Sequence, residues 1–196
     1  MPENTKNKVK YDLKNVHWAK TTLSENNAPT FGAVKPWPGA VSLSLDAEGE
    51  PTNFYADGIA YYVINNNNGY SGDLESAMVP DDFRKEILGD VADAKDIILE
   101  DADAQLGHFA LLFEFEGDIR KIKHVLYNCV ASRPSVQSQT KEQDVEVQTE
   151  TISIDAKSVY FSSLGKKIVK AKTSDNSDAT AVEGWYTSVY EPTPSA

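Results

Sequence analysis

Residues 108–131, HFALLFEFEGDIRKIKHVLYNCVA, decide how the rest of the chain is read. Phe109, Leu111, Phe113 and Phe115 recur at a period of two, which places four large apolar side chains on one face of an extended strand. Glu114 and Glu116 take the other face. Gly117 and Asp118 then offer a reversal, and IRKIKHVLYNCVA returns as an antiparallel partner. The stretch predicts a central β-hairpin.

Upstream, AVSLSL (40–45) alternates in the same way, with Val41, Leu43 and Leu45 opposite Ser42 and Ser44. After the acidic turn DAEGEPT, FYADGIAYYVIN reads as an aromatic and β-branched strand interrupted at Asp57-Gly58 by a tight turn or bulge. Residues 65–69, NNNNG, tolerate left-handed backbone, so they are expected to reverse the chain and send residues 70–79 back as the partner strand. PDDFRKEILG (80–89) is the one helix signal: Pro80 suits a first turn, Asp81 and Asp82 complement the dipole, and Gly89 can stop it. Phe83, Ile87 and Leu88 form its apolar stripe, and so short a helix must dock on a sheet.

Downstream, RPSVQSQTKEQD is polar and loop-like, and DVEVQTETISID (144–155) resumes alternation with a phase break near residues 148–151 that a bulge would repair. Residues 19–39 read as loop. The piece from 173 to 196 is polar, then aromatic at Trp185, Tyr186 and Tyr190, so it is expected to pack on its own domain or on a neighbour. The reading is a mainly β fold, a β-sandwich or partly open barrel flanked by one short α-helix, over residues 1–172 with 173–196 as a C-terminal extension.

The formal charge is −11, and residues 51–150 hold all of that excess. A nucleic-acid binder needs a basic patch, and this middle is the reverse. No apolar run is long enough to cross a bilayer and no signal-peptide pattern opens the chain, so a cytosolic site of synthesis without membrane association is expected. Cys129 is the sole cysteine and reads as a small buried hydrophobe.

Chemistry-bearing patterns are missing. His17, His108 and His124 have no zinc-like spacing, and GYSGD has Asp73 where a nucleophile elbow needs glycine. The acids Asp46, Glu48 and Glu50, and separately Glu100, Asp101 and Asp103, lack the full calcium-loop ligand set. No phosphate-cradling glycine loop is present. A carboxylate pair for glycoside hydrolysis stays open, because that separation is a tertiary property. No catalytic, cofactor or metal residue is assigned, and the chain is read as a non-enzyme.

NVHWA, PGAVSLSLD, NFYADGIAYYV, NNGYSGDLE, PDDFRKEILG, HFALLFEFEGD, KHVLYNCVASRPSV and QTETISI follow one another in an order that resembles the major tail proteins of long, non-contractile-tailed bacteriophages of Gram-positive bacteria, over about residues 8–155. The resemblance implies a virion structural protein assembled in the host cytoplasm, a tail-tube subunit forming stacked hexameric rings. It implies as partners further copies of the chain, a tape measure protein, and tail terminator or distal tail proteins, with DNA passing through unbound. An acidic wall would repel phosphate, and Glu114, Glu116, Glu146 and Glu150 are the candidate lumen residues, from the polar side of the strands. The alternative is a monomeric β-sandwich that binds carbohydrate or protein, stacking sugars on Trp37, Tyr61, Tyr62, Trp185 and Tyr186.

Overall fold

The computed structural model describes residues 11–56, 58–64, 66–116, 121–136, 138 and 147–194. Its strands are β1 (Leu13–Leu23), β2 (Pro29–Phe31), β3 (Lys35–Pro36), β4 (Ala40–Glu48), β5 (Thr52–Ala56), β6 (Ile59–Ile64), β7 (Gly69–Ser76), β8 (Val91–Ala92), β9 (Ile98–Leu99), β10 (His108–Phe115), β11 (Lys123–Ala131), β12 (Glu150–Lys157), β13 (Val159–Phe161), β14 (Lys166–Ile168) and β15 (Lys170–Lys172). Helix α1 (Asp81–Phe83) continues as a π-helical turn, Arg84–Leu88, and helix α2 (Ala179–Glu183) continues as a 3₁₀ turn, Gly184–Tyr186.

The expected central hairpin is present, with Glu114 opposite Lys123 and Phe109 opposite Cys129. Around it the main antiparallel sheet runs in the order β2, β1, β10, β11, β12, β7, β4, with β3 on β1 and β15 on β11. The sheet curls until β4 lies against β1, which makes a partly open barrel. Inside it Trp18, Leu74, Phe109, Leu111, Leu126, Ile152 and Ile154 form the main core.

One end of that core is plugged by α1. Phe83, Ile87 and Leu88 are all buried, and the wider π turn lets Ile87 and the adjacent Leu88 both point inward. Gly89 ends the helix at φ 83, and the Ile87 carbonyl then accepts from the Gly107 amide at 2.7 Å. Docking supplies the stability that so short a helix lacks.

Several expectations need correction. β7 does not pair with β6; it lies between β4 and β12, while β6 pairs with β5 across the turn at Gly58. The segment before Gly69 is therefore one side of a kink, closed by Asn68 N–H donating to the Glu48 carbonyl at 2.9 Å, within a single long hairpin. Residues 147–149 are not strand, and β12 starts at Glu150, where the phase break was expected. The former loop 19–39 contributes the end of β1, plus β2 and β3, and buries Trp37.

The largest correction concerns the second face of the central hairpin. Ala110, Leu112, Val125 and Tyr127 are buried there under β13 and the C-terminal residues, with Phe161, Trp185 and Val189 completing a second core. Asp178 caps α2 by accepting from the Ala181 amide at 3.0 Å, and the Trp185 indole N–H donates to the His124 carbonyl at 3.4 Å. The residues expected as an extension thus fold back on the sheet.

Cys129 is fully buried, and burial pushes its thiol well above the usual thiol range. An alkylating reagent is expected to label it only after denaturant unfolds the chain. Labelling of native protein at the denatured rate would contradict this placement.

Candidate functional site

Beyond the Glu48–Gly69 pair, β4 and β7 run on as β5 and β6, a two-stranded arm that joins no other strand among the described residues. Two strands alone are marginal in water, and this pair spends its best β-formers on solvent. Tyr55, Ile59, Tyr61, Tyr62 and Val63 are 47–70 % exposed. Because Tyr61 and Tyr62 are consecutive in a strand, both faces of the arm carry an uncovered aromatic ring.

Beside the base of the arm the barrel is open. Leu43, Leu45, Tyr70 and Phe115 are only half-buried around a cavity of about 230 Å³ whose floor is Phe113 and Leu126. Lys170 stands at the lip, its Nζ 4.3 Å from the Tyr70 ring centroid. The mouth mixes apolar side chains with His124 and Lys170, and it is smaller than the roughly 300–1,000 Å³ of ordinary small-molecule sites. Along the wall, β4 is the last strand of the sheet, so its outer edge has no strand partner among the described residues.

Of the four acids expected to line a bore, the three that lie among the described residues have different surroundings. Glu114 is buried beneath the C-terminal residues, where it accepts from Asn15 Nδ2 at 2.5 Å and from the Tyr186 hydroxyl at 3.1 Å. Lys123, opposite it in register, donates to the Val182 carbonyl at 2.7 Å and lies over the Tyr186 ring. Glu114 is therefore a clamp on the C-terminal segment, and the expectation that it faces open solvent is corrected. Glu116 is exposed and pairs with Lys14 at 3.2 Å. Glu150 lies at the helix end, held by Arg84 at 3.0 Å and by the Val79 amide at 2.6 Å. Glu146 lies outside the described residues.

Burial, reinforced by the charge of Glu114, pushes the Tyr186 hydroxyl far above its ordinary pKa, so it stays a donor. Tyr186→Phe is expected to destabilise the fold by about 1.5–3 kcal/mol, the range for a hydrogen bond to a charged group. Urea unfolding measures it; an unchanged midpoint would remove Glu114 as a clamp.

The aromatic residues named for sugar stacking divide sharply. Trp37 and Trp185 are buried in the two cores, so neither offers a platform, and only Tyr61 and Tyr62 stand free on the arm. No set of three His, Cys, Asp or Glu side chains among the described residues is arranged to hold a metal ion. No described helix is long and apolar enough to cross a membrane.

No protein-family model matches the chain, and no curated protein sequence matches it. The arm was hidden in sequence because FYADGIAYYVIN has the composition of a core strand; only its partner-poor position reveals its exposure.

Proposed function

We propose that the chain is a self-assembling structural subunit, polymerising as stacked hexameric rings into the tail tube of a long-tailed bacteriophage. The observation that carries this reading is the arm, a projecting hairpin whose aromatic and aliphatic side chains the chain leaves uncovered. Burial of each such side chain in a contact is worth about 1.5–3 kcal/mol. A monomer gains nothing from that exposure, and an exposed apolar hairpin beside an open sheet edge is an aggregation hazard unless copies use it.

Two further features support the reading. Although β4 lies against β1, it makes no ladder on its outer side among the described residues, so that edge can accept a neighbour's strand and continue the sheet from one subunit to the next. The net charge of −11 suits a conduit that must not retain DNA. In this role the partners are copies of the chain, the tape measure protein inside the tube, and the terminator and distal proteins at its ends, within the virion tail. Among the described candidate acids, Glu114 is buried and Glu150 is held by Arg84, whereas Glu116 is exposed beside Lys14 and is the one kept as a lumen candidate. The sugar-binding alternative keeps only Tyr61 and Tyr62 of its five aromatics fully exposed.

The test is the double variant Tyr61→Ser with Tyr62→Ser, compared with wild type by sedimentation velocity across a concentration series. Wild type is expected to polymerise, and the variant to stay monomeric with an unchanged unfolding midpoint. A variant that polymerises at the wild-type concentration would remove the arm from assembly.

A further inference from the structure

We propose that the acidic β8–β9 hairpin of one copy docks on the lysine-bearing strand β15 of a second copy, at the opposite end of the barrel. The contact rests on the self-assembly reading above and gives it a pair of surfaces.

Residues 90–103 leave the barrel where the helix stops at Gly89 and return beside it at Ala104. Within them Val91 pairs with Leu99 and Ala92 with Ile98, and the Asp93 carboxylate closes the turn by accepting from the Lys95 and Ile97 amides at 2.8 and 2.9 Å. The hairpin is therefore ordered, yet it joins no other strand among the described residues. Val91 and Leu99, directly opposed, share one face, and with Ile97 they are 51–55 % exposed. The same stretch holds six acids and one lysine. Asp96 is paired with Lys85 and Glu100 with Arg133, whereas Asp90, Asp93, Asp101 and Asp103 make no ion pair among the described residues.

The complementary surface is KKIVKAK (166–172), with four lysines, all exposed, and no acid. None of the four makes an ion pair among the described residues. Lys170 also borders the opening whose rim residues Leu43, Leu45 and Phe115 are only half-buried, so apolar surface adjoins the charge here too.

The two surfaces lie far apart on one copy. Gly107, just before β10, donates to the Ile87 carbonyl, and Arg133, just past β11, donates to the Asp101 carbonyl at 2.7 Å. The hairpin thus sits where β10 begins and β11 ends. β15 pairs with the other end of β11, placing Lys172 opposite His124. From His124 to Arg133 is about 30 Å of extended chain, which a hairpin of two-residue strands cannot cross. The contact therefore forms between copies, and joining unlike ends is heterologous, which propagates into a ring or a filament. Opposite charge speeds such docking and rejects reversed pairings, while Val91 and Leu99 lose their exposure against the apolar rim.

Two charge-reversed chains test the contact by sedimentation velocity. The hairpin variant carries Asp90→Lys and Asp103→Lys; the receptor variant carries Lys170→Glu and Lys172→Glu. Each alone is expected to need at least about tenfold more protein than wild type to assemble. An equimolar mixture is expected to recover, because in alternating order every hairpin meets a receptor of opposite sign. Circular dichroism confirms that each variant is folded; where a reversal unfolds the chain, Asp103→Asn or Lys172→Gln replaces it and is expected to raise the threshold in the same direction.

Assembly of either folded variant alone at the wild-type concentration would overturn the contact while leaving tube formation intact. So would failure of a mixture of the two folded reversals to recover when wild type forms tubes. A wild-type chain that never assembles would overturn the self-assembly reading, and this contact with it.

Discussion

Phe83→Ala is expected to destabilise the fold by about 3–5 kcal/mol, the range for removing a buried aromatic ring from a packed core. Phe83 is fully buried where α1 enters the barrel, with its ring centroid 5.2 Å from that of Trp18, 4.5 Å from Trp37 and 5.0 Å from Phe109. Those three residues come from β1, from the segment after β3, and from β10, so one ring joins otherwise separate parts of the barrel. The π turn beyond it depends on the same docking, because a helix this short does not hold without packing. Urea unfolding should register the full loss, accompanied by a change in near-ultraviolet circular dichroism as Trp18 and Trp37 lose their neighbour. A loss below about 1 kcal/mol would mean that the plug is dispensable.

Gly69→Ala is expected to cost about 3 kcal/mol or more, through backbone strain and a collision together. Gly69 adopts φ +106, where side chains are disfavoured, and an added Cβ would run into the carbonyl oxygen of Ala156 on β12. This is also the residue at which β7 leaves the barrel for the arm, paired across to Glu48. Gly165 is the internal control. It too is left-handed, at φ +63, but nothing lies near a Cβ placed there, so Gly165→Ala is expected to cost about 1 kcal/mol. Equal losses at the two sites would show that conformation alone, and not the close approach of β12, requires Gly69.

The strands that alternate cleanly were legible in sequence, and the reason is physical. Phe109, Leu111 and Phe113 on β10, and Leu43 and Leu45 on β4, face a single core at a period of two. The docked helix was legible because Phe83, Ile87 and Leu88 share a stripe and Gly89 supplies the left-handed stop.

What was missed has equally specific causes. Leu112 and Tyr127 face a second core that only long-range folding creates, so the near-continuous apolar run of β10 was read as one-sided. Glu114 looked like a solvent residue because its partners, Asn15 and Tyr186, are 99 and 72 positions away. Asp178, followed by a run that closes on Trp185, was a readable cap that the polar composition around it obscured. The pairing of β7 could not be read from its turn, since residues 65–69 suit a reversal or a kink equally well.

Electron microscopy of the concentrated, purified chain is the most direct test of a tube-forming subunit. Stacked-ring tubes of constant bore, lengthening with concentration, are the predicted result; a species that stays monomeric at every concentration would contradict it.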